Sequence, residues 1–182
     1  MATFTLTCIG DDRPGLVSDL SARLHAHGAS WNRSQMARLA GKFAGILLLE
    51  VPDARADELV AELADLEGVG LQVTLARTDA PADGPGLRFS LDLLGADRPG
   101  IVAEISAVLA REQVSIRDLV TDVRDAPMAG GHLFEAQALL EAPLGSRIED
   151  LRATLEAIAD ELMVEVTLSE SDSPDRGSAE AH

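Results

Sequence analysis

Gly10 to Leu24 reads GDDRPGLVSDLSARL, and 85 residues further on Gly95 to Leu109 reads GADRPGIVAEISAVL. Nine of these fifteen positions are identical, and three more pair Leu16 with Ile101, Asp19 with Glu104 and Leu20 with Ile105. Self-similarity at a fixed offset marks a duplicated structural unit. The flanks extend it. Phe4, Leu6 and Cys8 alternate with Thr3, Thr5 and Thr7, and Leu87, Phe89, Leu91 and Leu93 alternate with Arg88, Ser90 and Asp92. Both runs predict a strand with one buried face. Beyond each Gly-x-Asp-Arg-Pro-Gly loop, Leu16, Leu20 and Leu24, or Ile101, Ile105 and Leu109, recur every four residues and predict a helix with one apolar stripe.

The pattern continues in parallel. Ser30 to Leu39 reads as a strand, Ala40-Gly41-Lys42 as a turn, and Phe43 to Val51 as the returning strand of a hairpin. The second copy repeats this from Ser115 to Val123, with a longer connection over Arg124 to Gly131 and a return from His132 to Leu140. Leu59, Leu63 and Leu66 mark a second helix, as do Leu151, Leu155, Ile158 and Leu162. Strands at Leu71-Val73-Leu75 and Val164-Val166-Leu168 close the units. The order is βαββαβ twice, an α+β fold of two ferredoxin-like domains, each an antiparallel sheet with helices on one face. The expected domains span residues 1–78 and 87–169. A Pro/Gly-rich linker covers 79–86, and an acidic tail at 170–182 is expected to be disordered.

Composition narrows the function classes. Against 31 Asp and Glu stand 15 Lys and Arg, a net charge of −16, and Lys42 is the one lysine. Phosphate backbones repel such a chain, so direct nucleic-acid binding is not expected. Cys8 is the sole cysteine, which excludes an intrachain disulfide and a cysteine metal cluster. The longest apolar run, Ala44 to Leu49, has strand length, far below the ~20 residues needed to cross a bilayer. The N-terminus carries no basic segment followed by an apolar run, so no signal peptide is expected and the chain reads as cytoplasmic. No metal site is expected from His25, His27, His132 and His182, since nothing gives them converging ligands. His25 and His27 suit the C-terminus of a helix. No nucleophile elbow, Walker loop or dinucleotide fingerprint occurs, so neither catalytic residues nor a cofactor are expected.

The repeated loop is the candidate site. Gly10 and Gly95 permit a tight turn with φ > 0. Asp12 and Asp97 stand where a helix cap is expected, with Pro14 and Pro99 in the first turn. Gly15 and Gly100 leave the helix N-terminus uncovered, so its free N–H groups and positive dipole end can receive a small anion such as an amino-acid carboxylate. The plain alternative is a well-capped helix start with no ligand. Arg13 and Arg98 can clamp a carboxylate, or pair with the adjacent Asp12 and Asp97. Trp31 can serve core packing or stack on a ligand, and Cys8 reads as a small core residue.

The strand–GxDRPG[LI]V–helix followed by a hairpin resembles the ACT domain, a ferredoxin-like module that senses amino acids and other small metabolites. A pair of such modules without an attached enzyme is similar to the glycine cleavage system transcriptional repressor family, whose second-strand pattern is approached by Ser34-Gln35-Met36-Ala37-Arg38-Leu39 with Gly41 and Phe43. The resemblance implies ligands between two modules, touching the first loop of one and the start of the second strand of a neighbour. The implied ligand-binding residues are Gly10, Asp11, Asp12, Arg13, Pro14, Gly15 and Leu16, with Gly95, Ala96, Asp97, Arg98, Pro99, Gly100 and Ile101. Where the family often carries Asn at the strand start, Ser30 and Ser115 stand here, and Asn32, taken to share a face with Ser30, is a substitute in the first copy. The implied function is a non-catalytic regulator that binds a small-molecule effector such as glycine and modulates a DNA-binding regulator protein, as a homo-oligomer. The alternative is a structural module whose paired sheets act through protein–protein contacts alone.

Overall fold

The alternation of the first strand becomes a core. In the computed structural model, which describes residues 1–78, 86–126 and 130–170, β1 (Ala2–Asp11) buries Ala2, Phe4, Leu6 and Cys8. Next, α1 (Leu16–Ala26) buries Leu16, Leu20 and Leu24 against it. The hairpin follows as β2 (Ser30–Leu39) and β3 (Lys42–Val51), then α2 (Ala56–Ala64) and β4 (Leu71–Arg77). The second unit runs β5 (Gly86–Ala96), α3 (Ile101–Arg111), β6 (Ser115–Asp125), β7 (His132–Pro143), α4 (Ile148–Leu162) and β8 (Val164–Glu170). Each unit has its own four-stranded antiparallel sheet, ordered β2-β3-β1-β4 and β6-β7-β5-β8, and its own apolar core. Each fully buried leucine of these cores contributes about 1.5–3 kcal/mol relative to exposure. This is the expected α+β, ferredoxin-like architecture.

Helix α2 is shorter than the spacing of Leu59, Leu63 and Leu66 suggests. It ends at Ala64, and Leu66 is buried from a 3₁₀ turn over Asp65–Val69 instead. Of the expected linker, only Gly86 is described, and it opens β5; of the expected acidic tail, only Glu170 is, and it closes β8. The other linker and tail residues lie outside the described residues, as do 127–129 of the second hairpin connection. The hairpin strands run further than expected, to Asp125 in β6 and Pro143 in β7.

Both second strands carry a β-bulge. Trp31 pairs with Leu49 and Arg33 with Leu48, so Asn32 is an extra residue in the ladder; Arg117 is its counterpart between Ile116 and Asp118. A bulge sets two residues against one and interrupts the period of two. The alternation that would place Asn32 on the face of Ser30 therefore does not apply to it.

Candidate functional site

Each loop begins at a glycine that needs its missing side chain for close approach. A Cβ on Gly10 would sit 2.5 Å from the carbonyl oxygen of Gly70, and one on Gly95 would sit 2.4 Å from Cγ1 of Val164. Neither glycine has the positive φ expected from the sequence; both stay in their strands. The left-handed residues are Gly15, φ 93°, and Gly100, φ 102°, which stand as the N-caps of α1 and α3. That conformation costs an L-residue roughly 1–2 kcal/mol, so glycine is required there.

Asp12 and Asp97 are not caps, and neither helix has a side-chain cap. Both aspartates are used upstream, where the Asp12 N–H donates to the Gly41 carbonyl at 2.9 Å and the Asp97 N–H to that of His132 at 2.8 Å. Pro14 and Pro99 precede the helices rather than lie in their first turns. The outcome is a loop pinned to the tip of its hairpin, followed by a helix start with no side-chain cap; in the second copy the Glu104 carboxylate lies 3.1 Å from where a Cβ on Gly100 would sit.

The arginines pair with acids, though not with their neighbours. Arg13 donates to Asp19 at 2.9 Å, and Arg98 grips Glu104 with both terminal nitrogens at 3.1 Å. The Glu104 carboxylate holds the Arg98 guanidinium above its ordinary pKa, so its charge is constant. In the first loop Asp12 accepts from Arg38 at 3.2 Å, and Asp11 from Lys42. Three carboxylates are thereby matched by three cations. In the second loop the corresponding register positions hold Ala96 for Asp11, Leu133 for Lys42 and Val123 for Arg38. The Asp97 side chain consequently has no partner among the described residues, and it is exposed.

Ser30 and Ser115 lie at the other end of their sheets. Ser30 is level with Glu50 and Thr3, seven residues before Gly10 on β1, and Ser115 is level with Glu141 and Arg88, seven before Gly95. At ~3.3 Å per residue this is about 23 Å. A single module therefore does not bring Ser30, Asn32 or Ser115 to its own loop. They are exposed at the opposite end of the sheet.

One cluster escapes sequence reading. His27, which closes α1, is 7% exposed. Its Nε2 lies 2.5 Å from Glu62, and its Nδ1 accepts from Arg55 at 3.2 Å. Arg23 reaches the same Glu62 at 3.6 Å, and Arg55 bonds Glu58 at 2.7 Å. Arg55 can only donate, so Nδ1 is the acceptor and Nε2 is the nitrogen that faces Glu62. The cluster ties α1 to α2 from residues about thirty positions apart, which no local pattern announces. Trp31 packs half-buried on the first core, with its indole N–H donating to Ser34 Oγ at 3.1 Å. Burial pushes the Cys8 thiol up and leaves it unreactive.

The chain belongs to the ACT domain family, whose model matches residues 2–75 and again 89–169. It is 24% identical over 162 residues to the glycine cleavage system transcriptional repressor of Escherichia coli K12, covering 86% of this chain and 84% of that protein. Among solved structures, a protein of unknown function from Galdieria sulphuraria matches with a TM-score of 0.82 and 29% identity, over 93% of this chain and 98% of its own. A structure provisionally assigned as a glycine cleavage system transcriptional repressor matches in fold, with a TM-score of 0.68 and 17% identity over 92% and 96% of the two chains. No helix among the described residues is long and apolar enough to cross a membrane.

Proposed function

We propose that this chain is a non-catalytic regulatory protein of the cytoplasm that binds an amino acid, glycine being the first candidate, and alters the activity of a partner. The observation that carries the reading is the duplicated helix start, left-handed at Gly15 and Gly100 and capped by no side chain. Such a start offers oriented N–H groups to a carboxylate. The unpartnered Asp97 complements it, since an α-amino acid brings an ammonium group along with its carboxylate. Ser30 and Ser115 stand exposed at the far ends of their sheets, away from these helix starts. The likeness to the E. coli repressor supports a DNA-binding regulator as partner. With a net charge of −16 the chain itself does not bind DNA.

A second reading has its own support. Arg13 and Arg98, the two cations nearest the helix starts, are already spent on Asp19 and Glu104. A module so neutralised suits a scaffold that pairs through its sheet edges and takes no ligand. Thermal unfolding of the full chain against each amino acid separates the two. The sensor predicts a melting temperature that rises with the concentration of one or a few amino acids, because a ligand of the folded state stabilises it by mass action. A flat response across all of them favours the scaffold.

A further inference from the structure

The second module contains a cleft that the loops do not account for. It opens between α3 and the edge strand β6, with a free volume of ≈ 370 Å³ that includes its open mouth. Its floor is formed by Ala136 and Ala138 of β7, and its rim by Val102, Ile116 and Leu119. The rim residues are 44%, 38% and 42% exposed, so apolar surface faces solvent across the gap. Ser106 is the one polar lining residue, and its hydroxyl is already committed to the Ala103 carbonyl at 3.1 Å. A charged group finds no partner there, whereas an apolar one is favoured.

The first module indicates what fits. At the register position of Ile116 it carries Trp31, whose indole packs on the core and is tethered to Ser34; Leu119 stands where Ser34 does. At the position of Thr121 it carries Met36, partly buried over Gly45, and at that of Ala138 it carries Leu47. At three of these four positions the second copy carries the shorter side chain, Ile116 for Trp31, Thr121 for Met36 and Ala138 for Leu47, and Leu119 for Ser34 is the exception. We propose that the α3–β6 cleft is a binding site for an uncharged, indole-sized apolar group of a small molecule, and that only the second module provides it.

The test is a titration of the full-length chain with indole, followed by methyl NMR. The expected result is saturable shifts of the Ile105, Ile116 and Leu119 methyls, with the Leu20 and Leu24 methyls unmoved and a Kd on the order of 1 mM, as befits a fragment-sized ligand. Ile116→Trp supplies the indole internally and should weaken binding at least tenfold. Ala138→Leu, which copies Leu47, should do the same by raising the floor, and it serves if the first variant does not fold. Absence of saturable shifts, or wild-type binding in a folded variant, overturns the proposal. So do cleft-methyl shifts that follow protein concentration alone and resist indole, because they would assign the cleft to a second copy of the chain.

Discussion

The two loops share Gly-x-Asp-Arg-Pro-Gly and the same left-handed cap, yet their surroundings have diverged, with compensation at one ion pair and not at the other. In the first module Asp11 pairs with Lys42, and in the second both positions are apolar, Ala96 and Leu133. Arg38, which holds Asp12, gives way to Val123, but Asp97 is retained and stands alone. Elsewhere the first module closes on itself with Trp31 and the His27 cluster. The second has Ile116 at the former site and exposed Glu112 at the C-cap of α3. The contrast teaches that the duplicated string preserves backbone requirements, while the side chains around it set two different environments. The first has its loop carboxylates paired and Trp31 packed on its core; the second keeps an unmatched carboxylate and an open apolar cleft.

The largest expected effect tests the shared frame. Gly10→Ala and Gly95→Ala should each cost about 3 kcal/mol in urea unfolding, from overpacking against a close neighbour. The comparison sharpens in the second step. Gly95 is crowded by the Val164 side chain, so Val164→Ala should recover part of the loss, whereas Gly10 faces a backbone oxygen and has no such rescue.

Next in size is the His27 cluster. His27→Ala should destabilise the first module by about 1–2 kcal/mol, since it strands the inner partners of a part-buried network. Glu112→Ala, its counterpart in the second module, should stay within about 0.5 kcal/mol, as exposed substitutions usually do. Equal losses would break the claim that only the first module is clasped this way.

Smallest is the exchange of loop chemistry. The double variant Asp11→Ala/Lys42→Leu gives the first loop the residues of the second and should leave stability within about 0.5 kcal/mol, because exposed ion pairs contribute little. A loss well above that would show the pair to be structural.

Much of this was legible in the sequence, and the exceptions have identifiable causes. Alternation in Phe4-Leu6-Cys8 and four-residue spacing in Leu16-Leu20-Leu24 specify elements because burial of one face is a local constraint. Simple alternation misses the bulge at Asn32, although the change of parity between Trp31 and Met36 on the buried side carries its signal. The His27–Glu62 contact left no trace, since pairing across two helices depends on tertiary packing. The site residues separate for a topological reason: β1 and β2 run in the same direction, so the end of one and the start of the other lie at opposite ends of the sheet. Asp12 looked like a cap because residue type alone does not reveal that Gly15, three positions on, takes that place.

The most direct test of the account is amide chemical-shift mapping of the full chain during titration with the amino acid that most raises its melting temperature, or with glycine if none does. Saturable shifts of the Leu16–Ser18 and Ile101–Ala103 N–H groups are expected, together with Ser30 or Ser115, and different affinities at the two loops. Unmoved amides at both helix starts under saturating amino acid would contradict it.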